Sequence, residues 1–200
     1  KSGYSADGRY GEDFDFGDYI SKSKSSAGIV SAMEYWAASD PGAAAEALRK
    51  GDGKDEDGWR YYGALKGRAA IVGETEAVEW IVGAMEGLDE DAWRESLSIV
   101  VGKDPSGSRV AAFLKSLPDE KRQLDFAAAV VGSYQKNGNA REYLSANYQD
   151  DFRIKIAEAW LDNPRHRRLI GMNELADQMM DDLKIPEAKR EELRAGRFKK

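Results

Sequence analysis

Trp36-Ala37-Ala38-Ser39-Asp40-Pro41-Gly42-Ala43-Ala44 reads as the end of one helix and the start of the next. Asp is a residue whose side chain caps helix N-termini, and Pro fits the first helical turn, where its missing N–H leaves no bond unmade. The residues on either side, from Ile29 to Leu48, are rich in Ala, the strongest helix former, so the stretch reads as one helical hairpin.

Working outward, the same kind of boundary returns at Lys103-Asp104-Pro105, Leu117-Pro118-Asp119 and Asp162-Asn163-Pro164. An acidic turn followed by an aromatic and Arg also recurs, as Asp57-Gly58-Trp59-Arg60, Asp91-Ala92-Trp93-Arg94 and Asp151-Phe152-Arg153, with Asp119-Glu120-Lys121-Arg122 as a degenerate copy. The Arg positions step by 34, 28 and 31 residues. Each copy runs through an apolar helix to a small-residue turn, such as Ile71-Val72-Gly73 or Val130-Val131-Gly132, and a second helix follows. A period of about 30 residues that makes one hairpin marks an α-solenoid, because a lone hairpin cannot bury its apolar face and neighbours must stack to do so.

The expected fold is therefore all-α: a right-handed α-solenoid of about five helical hairpins over residues 27–171, closed by C-terminal capping helices over 172–200. In that last stretch Leu175, Met179, Met180, Leu183 and Ile185 fall on one side of a helix, and Pro186 opens a final short one. Residues 1–26, KSGYSADGRYGEDFDFGDYISKSKSS, show neither a period of 2 nor one of 3.6 and read as a flexible N-terminal arm. Tyr4, Tyr10, Phe14, Phe16 and Tyr19 are many rings for a linker, so the arm is expected to lie in a groove, its own or a neighbour's.

The pattern Trp-Ala-x-x-Asp-Pro, a small-residue helix, then Leu-Pro and Arg resembles tandem helical-hairpin repeat proteins of the Verrucomicrobia and planctomycete type, themselves similar in outline to tetratricopeptide and HEAT arrays. The resemblance covers about residues 27–165 and is best at Trp36 to Ala45 and Val100 to Arg122; the copy at Asn137-Gly138-Asn139 lacks the Asp-Pro turn. It implies fold and export to the cell envelope, and it brings no catalytic residues with it. The tetratricopeptide consensus is missing, so recognition of peptide tails in that manner is not implied.

Composition narrows the function. The 200 residues hold 30 Lys plus Arg against 36 Asp plus Glu, a net charge of -6, which argues against nucleic-acid binding. There is no Cys and one histidine, His166, which excludes thiol nucleophiles, disulfides, iron-sulfur clusters and multi-His metal centres. No cofactor or metal is expected. No apolar run reaches the 18 or so residues of a membrane helix. The start at Lys1 without Met reads as a processed or trimmed form, and the lack of Cys tilts the expectation toward an exported protein over a cytoplasmic one.

Charge is uneven, with six basic and eleven acidic residues over 27–88, net -5, and ten basic and seven acidic over 164–200, net +3. Within the latter, Arg165-His166-Arg167-Arg168 is the local feature suited to an anionic partner, such as a phosphate, an acidic protein or peptide, or a glycan sulfate, and these four are the candidate partner-binding residues; the bland reading, which is favoured, is charges balancing neighbouring helix starts. Arg60, Arg94, Arg122 and Arg153 form either an anion track or, the favoured reading, local pairs with acidic turns and helix-end carbonyls. Trp36, Trp59, Trp80, Trp93 and Trp160 read as seals between repeats rather than a ligand groove.

No catalytic residues are assigned. Asp125 and Glu158 are the carboxylates best placed for partial burial, and each is expected to meet an Arg. The acidic stretch Gly51 to Gly58 lacks the spacing of a calcium loop, and Gly102 to Ser108 lacks that of a phosphate loop. The function expected is a non-catalytic interaction or scaffold module that binds a macromolecular partner along a concave helical surface. The alternatives are a hydrolase using groove carboxylates and a structural spacer of a larger exported protein.

Overall fold

The computed structural model describes residues 10–11, 13–50, 57–89, 92–93, 96–97, 99–100, 107–132, 138–162 and 172–197. Eleven helices are found among them and no strand: α1 (Phe16–Lys22), α2 (Ser26–Ser39), α3 (Pro41–Arg49), α4 (Asp57–Val72), α5 (Glu74–Ala84), α6 (Gly107–Ser116), α7 (Glu120–Gly132), α8 (Gly138–Asn147), α9 (Asp150–Asp162), α10 (Met172–Asp182) and α11 (Glu187–Arg197). Ala92, Trp93, Ser96, Leu97, Ile99 and Val100 are also helical, between α5 and α6. The protein is all-α.

Local chemistry sets the helix starts. Asp40 Oδ1 accepts from the Ala43 N–H at 3.0 Å, with Pro41 leading α3. Asp119 does the same for Arg122 at 2.8 Å, Asp89 for Ala92 at 2.9 Å and Asp15 for Asp18 at 2.8 Å. Each supplies an acceptor to an N–H that has no partner inside its helix. The break between α4 and α5 instead uses Gly73, at φ 84°, a left-handed conformation that suits a residue without Cβ. α10 ends on Lys184 at φ 53°, where the Ile185 N–H reaches back to the Met180 carbonyl at 2.9 Å and the Ile185 side chain is buried. That is the Schellman stop with lysine in place of glycine.

Packing joins α2 to α3 and α4, α4 to α5, α5 to α6, α6 to α7 and α8, α7 to α9, α8 to α10, and α9 to α10 and α11; α3 also touches α4 and α5. The most intimate seam is α2 against α4. A Cβ built on Gly63 would lie 2.5 Å from the Val30 carbonyl oxygen, and one on Gly67 would lie 1.9 Å from that of Glu34. Two glycines four residues apart thus let one helix backbone rest on the other. The core continues through Ile29, Met33, Tyr61, Leu65, Ile81, Leu97, Phe113, Phe126, Leu144, Trp160 and Met179, each at most 1% exposed. Phe113 and Phe126 stack across α6 and α7 at 4.8 Å.

The described part of the N-terminal stretch packs on its own chain. Ile20 and Tyr10 are buried, and Tyr10, Phe14, Phe16 and Tyr19 form one ring cluster with Tyr35 and Trp36 of α2.

Candidate functional site

Arg165, His166, Arg167 and Arg168 lie outside the described residues, as do Arg94, Asp91, residues 51–56 of the acidic stretch and residues 102–106 of the Gly-Lys stretch. Of the four arginines weighed as an anion track, Arg122 and Arg153 have structural partners. The Arg122 guanidinium lies 4.4 Å above the centre of the Trp93 ring, joining α7 to the helical stretch before α6. Arg153 ion-pairs with Asp150 and donates to the Leu183 carbonyl at 3.0 Å and the Ser145 carbonyl at 3.4 Å. One side chain on α9 thereby satisfies the free carbonyls at the ends of α8 and α10. Arg60 is half-buried on α4.

Two other arginines, which the sequence did not single out, are buried more deeply. Arg109 on α6 is 7% exposed and grips Glu74 at the start of α5, with Nε and an Nη each 2.7 Å from Oε1; Ser108 Oγ donates to the other oxygen at 2.9 Å. Arg141 on α8, also 7% exposed, pairs with Asp182 of α10 at 2.5 Å and donates to the Val131 carbonyl at the end of α7 at 2.7 Å. Both stand in the first turn of their helix, where the helix dipole disfavours a cation. A positive charge at a helix start is helped by an acid from elsewhere, and Glu74 and Asp182 supply it.

The tryptophans lie in the core or against it. Trp93 and Trp160 are buried, while Trp36, Trp59 and Trp80 are half-buried against the core. Asp125 is half-buried and Glu158 is exposed. Among the described residues no group of three or more His, Cys, Asp or Glu is arranged to hold a metal ion, and no helix is long and apolar enough to cross a membrane.

Titration shifts trace the surface pairs. A hydrogen bond and attraction from Asp18 raise the Lys22 pKa, Glu120 raises that of Lys155, Glu192 raises that of Lys189, and Asp177 raises that of Arg194. Lys50 lowers that of Glu46. Burial, helped by Tyr143, raises that of Tyr148, whose ring stacks on Phe152 at 4.8 Å. α11 is tied to α10 by Arg190 with Asp181 and by Arg194 with Asp177 at 2.9 Å, one helical turn apart on each helix.

Glu74–Arg109, Arg141–Asp182, Glu120–Lys155 and Asp177–Arg194 join different helices, whereas Asp18–Lys22, Glu46–Lys50 and Lys189–Glu192 are local to one. Comparison of the chain with protein-family models, curated proteins and solved structures finds no match.

Proposed function

We propose that the chain is a non-catalytic interaction or scaffold module: an α-solenoid of about five hairpins, of the tandem helical-hairpin kind that its Trp-Ala-x-x-Asp-Pro turn resembles, binding a protein or peptide partner along a concave helical surface. The observation that carries this reading is the order of the contacts. One row runs α3, α5, α6, α8, α10, each helix touching the next; in the other, α2 touches α4 and α7 touches α9. A chain whose elements meet sequence neighbours in two rows exposes a long face built from one of them, and such faces serve binding.

The buried bridges support it. Glu74–Arg109 and Arg141–Asp182 each join consecutive helices of the first row, and Arg153 reaches the ends of two of them. These polar contacts set register between repeats and leave the outer faces to a partner.

The experiment is capture from a lysate of the source organism with the intact chain as bait, beside a variant with Arg165, Arg167 and Arg168 changed to Ala. A partner retained by the first and lost by the second supports a binding module with its anionic partner at that cluster. Failure of the intact chain to retain any protein, together with hydrolysis of a glycan or peptide that depends on Asp125 or Glu158, would overturn it.

A further inference from the structure

The segment from Tyr10 to Lys22 packs into the core through Tyr10 and Ile20, yet its helix and the next begin independently. α1 has its own N-cap, Asp15, and α2 starts independently, the Ser25 Oγ accepting from the Gly28 N–H at 3.2 Å. Between them run Ser23-Lys24-Ser25, with Ser23 and Ser25 extended. Swinging the segment away about this link breaks neither helix's cap.

Rings hold it in place. Phe16 stacks on Trp36 at 5.5 Å with 16° between planes and on Tyr35 at 5.8 Å with 20°; Tyr10 lies 5.3 Å from Tyr35. Phe14 packs on Tyr10, Phe16 and Tyr19 at 4.6, 4.9 and 5.4 Å. Tyr19 reaches the start of α2, where a Cβ on Gly28 would lie 2.7 Å from its hydroxyl oxygen. The receiving surface is therefore shaped for rings by two side chains and by one missing side chain. The anchors, the rings and buried Ile20, all fall between positions 10 and 20, so what this surface accepts is a short linear peptide.

We propose that the Tyr35–Trp36 face of α2 is a peptide-binding site for a partner segment that carries rings in Phe-x-Phe spacing, and that the chain's own Tyr10–Lys22 segment is the tethered occupant which that partner displaces. The site lies toward the N-terminal end and does not depend on whether the inner helices of the array bind anything. The tethered segment competes at an effective concentration on the order of millimolar, so a free peptide binds only in proportion to the open fraction.

The test titrates a fluorescein-labelled synthetic peptide of residues 10–22 with the full chain. Phe16→Ala weakens the tethered occupant and leaves the α2 face intact, so this variant binds the peptide at least about tenfold more tightly than the unchanged chain. Adding Trp36→Ala to it abolishes binding. Equal affinity of the two, or binding that survives Trp36→Ala, overturns the proposal. If Phe16→Ala lowers the far-ultraviolet helix signal, hydrogen exchange on the unchanged chain decides. Amides of Phe16–Lys22 that exchange ahead of those in α2 and α4 support a releasable segment, and exchange only with global unfolding overturns it. A concentration-dependent dimer of the unchanged chain that Phe16→Ala removes would give the face to a second copy and overturn its assignment to a separate partner.

Discussion

Replacing Gly67 with Ala adds one methyl group to α4, and on an exposed helix that change is stabilising by about 1 kcal/mol because glycine loses more backbone entropy on folding. Here the methyl meets the backbone of α2. Its carbon would lie 1.9 Å from the Glu34 carbonyl oxygen, 2.7 Å from the carbonyl carbon and 2.9 Å from Cα, where ordinary contact begins at 3.4 Å. The shortfall of 1.5 Å at the oxygen falls on main chain, which has no rotamer to turn aside. The two helices must part over a seam that buries Ile29, Met33, Tyr61 and Leu65. Overpacking of this kind costs up to about 3 kcal/mol, so after the gain in propensity the net loss is about 2 kcal/mol. With a urea slope of about 2 kcal/mol/M, the midpoint falls by about 1 M. Gly83 on α5 is the internal control, since a Cβ there has no neighbour within 4 Å. Gly83→Ala should raise the midpoint by about 0.5 M. A Gly67→Ala chain that is as stable as Gly83→Ala would refute the close approach of α2 and α4.

Asp182→Asn leaves the buried Arg141 guanidinium without its carboxylate while the bond to the Val131 carbonyl remains; urea denaturation should show a loss of about 2 kcal/mol, below the value for a fully buried pair because Asp182 is partly exposed. Lys184→Gly relieves a left-handed residue at the end of α10 and should gain about 1 kcal/mol by the same assay, with no gain contradicting the Schellman stop. The Tyr148 phenol has its pKa raised above the usual 10.0 by burial, so the neutral form is favoured in the fold. Its contribution to stability is whole below the unfolded value and is lost as pH rises through the folded one. Urea midpoints measured from pH 8 to pH 11 should therefore fall less in Tyr148→Phe than in the unchanged chain.

Helix boundaries were legible where local chemistry makes them. Asp40-Pro41 and Asp119 cap helices in the structure by the bonds that those residue types form anywhere. The pairing of Arg153 with helix-end carbonyls was also within reach, because guanidinium groups near helix termini have few other uses. Other features needed the third dimension. Gly63 and Gly67 carry no mark in the sequence, and only the backbone of α2 lying against them makes them a seam. Arg109 and Arg141 look like surface residues until the acids they face, 35 and 41 positions away, are brought beside them. The N-terminal stretch shows no 3.6 period because α1 is seven residues long and is held by ring contacts to α2 rather than by an apolar stripe. The basic cluster at Arg165 to Arg168 lies outside the described residues, so its placement rests on the sequence.

The most direct measurement is hydrogen exchange of the full chain, alone and with the partner it captures. Binding along a concave array predicts added protection that runs through helices of one row across at least three consecutive hairpins. Protection confined to a single hairpin, or none in any helix, would contradict it.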